Sequence, residues 1–209
     1  MIQIEYRKYL RSMKRILGFV AVPVFMASMI KAVPAQEPVE LTEETTEEVT
    51  EELTPKGKRW VCDGCTENER VVLEFLQDRG IEDKVALAVV MGNIKQESKF
   101  VPDICEGGAR VPYHNCHRGG FGLIQWTTHG RYTGLGHFAR RYGGDPTDLN
   151  TQLRWMVNER EWTKVEHIFK TSGLSVDGYM NAAYRWLGWG VHGERTNYSN
   201  QYLNRLVQV

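Results

Sequence analysis

The stretch from Glu82 to Glu97, EDKVALAVVMGNIKQE, constrains the chain most. Leu87, Val90 and Ile94 recur at the three-and-four spacing of one helical face, so the segment reads as a helix that buries that face in a core. Glu97 is the next position on the same stripe. A carboxyl at the end of an apolar stripe either snorkels at a frayed terminus or is held partly dry for chemistry.

A length of 209 residues allows one domain of ordinary size with appendages. The formal net charge of zero hides an uneven distribution, because residues 1–54 hold 6 Lys and Arg against 9 Asp and Glu. The remainder therefore carries a small positive excess, which suits an anionic partner without demanding one. All 6 Trp follow residue 59, and that part of the chain has the bulky apolar surface a core needs.

The N-terminus reads as targeting rather than fold. RKYLRSMKR is basic, and the apolar run from Ile16 to Ile30 is short for a membrane span. VPA at 33–35 offers small residues for cleavage, so residues 1–35 are expected to be an export signal cut after Ala35. Met13 opens a more compact form of the same signal. The alternative is an uncleaved membrane anchor. Residues 36–57 form a linker rich in glutamate, with eight Glu between Gln36 and Pro55 and no aromatic residue. Such a composition buries too little apolar surface to offset its ordering entropy, so a solvated, disordered tether is expected.

From 58 to 209 the pattern is that of a compact, mostly helical domain. Thr66 with Glu69 makes a capping-box pattern ahead of RVVLEFLQDRG, and Gly80 stands where that helix should stop. Residues 101–122 hold five Gly and two Pro, which predicts a loop or small β-hairpin. Helical patterns return in GRYTGLGHFARRYGG, in DPTDLNTQLRWMVNEREW with its Asp-Pro start, in SVDGYMNAAYRWLGW, and at the C-terminus.

Cys62, Cys65, Cys105 and Cys116 are even in number and all follow the export signal, which favours disulfides. Of the three connectivities, Cys105 with Cys116 is preferred because it closes the Gly-rich loop beside Glu97. Cys62 and Cys65 then pair with each other or stay reduced. The competing arrangement is a zinc site that combines CDGC with Cys105, Cys116, His114 or His117.

GNIKQESKFVPD followed by GGFGLIQW resembles the phage tail lysozyme domain, a branch of the lysozyme-like superfamily of peptidoglycan hydrolases. The resemblance spans Thr66 to Leu206, and its diagnostic part is a helix ending in Glu-Ser followed by Gly-x-Gly-Leu-x-Gln. It implies an α+β, predominantly α-helical, lysozyme-like domain in which Glu97 is the general acid for glycosidic cleavage. The stripe agrees, because burial disfavours the charged carboxylate and keeps a proton on Glu97 near neutral pH. Gln125 is expected to bond either the sugar or the loop beside the acid. Gly120 and Gly122 suit a tight turn or close approach of a glycan, Phe121, Tyr113 and Trp126 offer rings for stacking, and Ser98 orders the helix end. Asp103 and Glu106 are the candidates for a second carboxylate, which a hydrolase places ~5–5.5 Å or ~6.5–9.5 Å from the acid.

The expected partner is bacterial peptidoglycan, with no cofactor, no metal and no nucleic acid; phage tail components and membrane anchoring through the N-terminal segment are further candidates. The signal implies export to the host periplasm or envelope, whereas the family name implies a virion tail. Three other readings stand beside a hydrolase. They are a lytic transglycosylase giving anhydro products, a thiol peptidase or amidase using Cys105 or Cys116 with a histidine, and a silent wall-binding module. Since every candidate site residue lies beyond the acidic segment, a chain beginning at Pro55 is expected to keep its thermal midpoint and its rate on soluble glycan fragments. Comparing it with the longer form checks this, and a large loss of rate would mean that the segment packs on the domain.

Overall fold

The computed structural model describes residues 58–117 and 119–209. The expected signal (1–35) and the whole of the acidic linker (36–57) therefore lie outside the described residues.

The helix that carries Glu97, α2 (Lys84–Ser98), is the axis of the fold. Asp83 caps it by accepting from the Val85 and Ala86 amides at 2.8 and 3.0 Å. The sequence reading gives it one apolar face, but every residue from Ala86 to Ile94 is buried. The reason is that α1 (Glu67–Asp78), α7 (Val176–Leu187) and α8 (Arg195–Arg205) surround it. Helix α1 begins with the capping box expected from Thr66 and Glu69, and Gly80 follows its end with φ +83°.

Around this group lie α3 (His129–Tyr142), α4 (Leu149–Asn158) and two single-turn helices, α5 (Arg160–Thr163) and α6 (Glu166–Phe169). The expected Asp-Pro start of α4 is displaced. Asp145 closes a turn by bonding the Thr147 amide, and Asp148 caps the helix by accepting from Thr151 at 2.8 Å. Glu159, with ψ 151°, then breaks the run that the sequence presents as one helix.

Strand is scarce. Trp60–Cys62 (β1) and Leu206–Gln208 (β2) pair antiparallel, with Val61 opposite Val207, and so tie the two ends of the domain together. In the Gly-rich loop the expected hairpin reduces to isolated bridges, Ile104 to Arg110 and Cys105 to Phe121. Gly107 and Gly108, at φ +88° and +92°, turn the chain before a ladder can grow. Among the described residues no helix is long and apolar enough to cross a membrane.

Both disulfides are formed, Cys105 to Cys116 and Cys62 to Cys65, with Cα separations of 5.6 and 5.5 Å. Bridged sulfurs supply neither zinc thiolates nor a thiol nucleophile, so the zinc site and the thiol peptidase lose their chemistry. Cys105 and Cys116 are 11 residues apart, and a loop of that size is worth roughly 3 kcal/mol in the chain-entropy description. Alkylation before reduction should leave the intact mass unchanged, and alkylation after reduction should label all four cysteines. Cys105→Ala with Cys116→Ala should lower the denaturation midpoint more than Cys62→Ala with Cys65→Ala. The second pair closes a loop of only 3 residues.

Candidate active site

Glu97 occupies the last turn of α2, where the backbone departs from helix in an uncommon way. Lys99 and Phe100 both take left-handed φ, 54° and 64°, and this double turn drives the Phe100 ring into the core. Ser98 secures the turn, donating to the Leu123 carbonyl at 2.7 Å and accepting from the Phe100 amide at 3.1 Å. The helix end is thereby tied to the GGFGLIQW loop, where Gln125 is, after Lys99 and Phe100, the third non-glycine among the described residues with left-handed φ, at 51°. Backbone conformations of this kind persist only where the surroundings enforce them, and here they flank Glu97.

The partner of Glu97 is Arg195, the first residue of α8. Its guanidinium bonds Glu97 Oε1, donates to the carbonyls of Val191 and His192 at 2.9 and 2.8 Å, and lies 4.5 Å from the ring centroid of Trp189. A second pair stands close by. Arg131 on α3 grips Glu159 through both carboxylate oxygens, at 2.9 and 2.6 Å, and Glu159 also accepts from the indoles of Trp126 and Trp186.

Glu97, Arg195 and Arg131 line a cleft of about 480 Å³, together with Gln125, Thr127, Thr128 and Trp189. Burial pushes the Glu97 carboxyl above the ordinary carboxylate range, against the downward pull of the Arg195 and Arg131 charges. Its side chain nevertheless keeps 15% of its exposure, so it is reachable from the cleft. Among the described residues that line the cleft it is the one carboxylate. A larger cavity of about 790 Å³ lies against β1 and the start of α2, lined by Asp78, Glu82, Asp83, Lys58, Arg59 and Lys84. There Asp78 pairs with Arg59 and Asp83 caps α2, so those two carboxylates serve the fold.

A family model for phage tail lysozyme matches residues 67–205. The chain belongs to the phage tail lysozyme family. The matched span contains α1 to α7 and α8 up to its last residue, and with them every group of the cleft. Membership makes it a lysozyme-like, glycosidase-type peptidoglycan hydrolase in general terms. No curated protein and no solved structure matches the chain significantly.

The fold brings some of the sequence-predicted residues to the cleft and takes others away. Gln125 lines it beside Glu97, but its amide nitrogen donates to the Gly122 and Ile104 carbonyls at 3.0 and 3.3 Å, which makes it a loop brace. Phe121 and Trp126 are fully buried and offer no face to a sugar. Ser98 is likewise buried and bonded to backbone. Tyr113 stacks on Tyr132 at 4.4 Å and lines a separate cavity with Asp103 and Arg110. Asp103 is held by Arg110 at 2.9 Å, and Glu106 accepts from the Gly120 amide at 3.0 Å, so neither candidate second carboxylate lines the cleft. The glycines are required by internal packing. A Cβ on Gly120 would stand 2.7 Å from Gln125 Cβ, and one on Gly122 would stand 2.6 Å from the Gln152 amide.

Sequence reasoning missed Arg195, Arg131, Trp189 and Glu159. Glu159 had a signal, because it follows Leu149, Leu153 and Met156 at the same spacing that singles out Glu97. The arginines had none.

The pairing predicts a pH effect of definite sign. Protonated Glu97 is present below its folded pKa and lost as pH rises through it, so if activity needs that proton its alkaline limb marks that value. Arg195→Met removes a downward influence and should move the limb to higher pH. It should also lower kcat by up to about 100-fold as the carboxyl loses its fixed orientation. Arg195→Lys, which keeps the charge, should restore most of the limb position. Rate against pH for the three proteins checks this, and an unmoved limb in Arg195→Met would reject the coupling.

Proposed function

We propose that the chain cleaves the β-1,4 bond between N-acetylmuramic acid and N-acetylglucosamine in peptidoglycan, with Glu97 as the general acid. The supporting observation is a single carboxyl at the cleft, reachable by substrate yet pushed up by burial. Protonated Glu97 gives its proton to the glycosidic oxygen as the bond to the anomeric carbon breaks, so the leaving sugar departs as a neutral alcohol and positive charge develops on the sugar that keeps the anomeric carbon. Glu97 is then a carboxylate beside Arg195, which favours that state. As the carboxylate it takes a proton from the nucleophile that completes the reaction, and so returns to its starting form.

The cleft favours a particular nucleophile. A hydrolase of the two-carboxylate kind needs a second carboxylate near the sugar, and Asp103 and Glu106 are engaged elsewhere. Attack by the substrate's own hydroxyl needs no such group and leaves an anhydro sugar, so the lytic transglycosylase outcome is the second reading. The N-terminal signal pattern supports export to the envelope during host lysis, and the family name supports a tail-borne role in entry.

Mass spectrometry of sacculi digested by the purified protein tests the proposal. Fragments spaced by disaccharides are expected, and a terminal muramic acid lighter by one water identifies the anhydro route. Glu97→Gln keeps the shape but has no acidic proton to give, so it should bind sacculi while its rate falls by about 100-fold or more. Clearing at a comparable rate by this variant would exclude Glu97 as the acid. Sacculus binding without released fragments from the unaltered chain would leave only a wall-binding module.

A further inference from the structure

Beside the Glu97 cleft lies a second, smaller cavity of about 330 Å³, and Trp189 lines both. One wall is a single face of α7. Asp177, Asn181 and Tyr184 follow one another at spacings of four and three residues and so stand in a row on that helix. The opposite wall comes from His192 and Thr196, whose side chains bond each other at 3.2 Å. Trp189 forms the junction, with the Tyr184 ring edge-on at 5.2 Å and the Arg195 guanidinium 4.5 Å from its centroid.

Tyr184 is 53% exposed, unusual for a large ring, and the packing of the core does not need it there. An exposed tyrosine set against a half-buried tryptophan, with a carboxylate and a carboxamide in the same row, is chemistry suited to a pyranose. The flat C–H face of the sugar covers a ring, and its hydroxyl and N-acetyl groups bond Asp177, Asn181 or Thr196. The anionic peptide stem of peptidoglycan fits less well, because Asp177 is the charged side chain of the row and would repel carboxylates.

We propose that this shelf is a glycan subsite that holds an N-acetylated sugar residue beyond the bond being cleaved, next to the Glu97 cleft in the direction of Trp189. The proposal rests on the glycan-cleaving reading of Glu97. It makes the chain length of the glycan, rather than its peptide decoration, the quantity that the shelf recognises.

The test uses the full chain carrying Glu97→Gln, to prevent turnover, and peptide-free N-acetylglucosamine oligomers of increasing length as the probe. Adding Tyr184→Ala should raise the Kd for long oligomers by about tenfold, the equivalent of one aromatic contact. Tyr184→Phe, which keeps the ring, should retain binding, and Asn181→Ala should weaken it. Tyr142→Ala, at an exposed tyrosine that lines neither cavity, should have no effect. Equal Kd values for the Tyr184→Ala protein and its parent, in a chain that otherwise cleaves glycan, would overturn the subsite and leave the Glu97 reading intact. Weakening seen only with peptide-bearing fragments would overturn the saccharide assignment in favour of the stem. If the unaltered chain cleaves no glycan at all, the reading of Glu97 fails first and the subsite falls with it.

Discussion

The close approach of α2 and α8 sets the geometry on which the site depends. A Cβ on Gly92 would stand 2.5 Å from the Ser199 amide nitrogen and 2.8 Å from its Cα, so the two helices touch backbone to backbone there. The glycine is needed for space, since its φ is ordinary. About one turn from that point along each helix come Glu97 and Arg195, and the crossing brings their charged groups together. The neighbouring pairs keep the same order. Gln96 accepts from the Glu194 amide at 2.9 Å, and the Lys95 ammonium lies 5.7 and 5.4 Å from the rings of Tyr198 and Tyr202. A separation of 98 residues in the chain thus becomes a direct ion pair because one position carries no side chain.

The same sequence signal, a glutamate on an apolar stripe, occurs three times, and the fold gives each a different fate. Glu69 stands ahead of Val72, Leu73 and Leu76 on α1. Burial alone would raise its pKa, but bonds from Tyr202 and Thr66 and the charge of Lys95 outweigh that and hold it below the ordinary range. It is a fixed anion that joins α1, α2 and α8. Glu159, its side chain 1% exposed, is gripped by Arg131 and two indoles and sits where α4 breaks. Glu97 alone of the three lines the cleft, and burial pushes its carboxyl up. The stripe therefore selects buried carboxylates, and it takes the donors around each one to separate a group tied into the fold from one left open to a cleft.

What could be read from the sequence follows from how locally each feature is determined. The capping box at Thr66, the stop near Gly80 and the Cys105–Cys116 closure depend on residues a few positions apart, and each is formed. The helical, lysozyme-like class followed from those helices together with two short motifs. The β1–β2 pair was not legible, because its strands of 3 residues each find one another across the whole domain. Arg195 and Arg131 were hidden for the same reason. Phe121 and Trp126 were misread because a Gly-rich loop has no periodicity to report burial. The loop folds inward when Ser98 and Gln152 bond the carbonyl and amide of Leu123, and the rings on either side go with it.

The resting ion pair between Glu97 and Arg195 looks at first like an obstacle, since a cation beside a carboxyl opposes the protonated form that an acid needs. Burial works in the other direction and prevails. Under the role proposed for Glu97, a group that must both give a proton and regain one within a single turnover benefits from this opposition, because neither protonation state is then out of reach. Arg195 can hold that balance only if it stays fixed, and the Val191 and His192 carbonyls and the Trp189 ring fix it. All three belong to the connection between α7 and α8, the segment that also forms the boundary of the cleft. Movement of that connection would change the charge facing Glu97, so under the proposed role the segment that borders the cleft would also set the readiness of the acid.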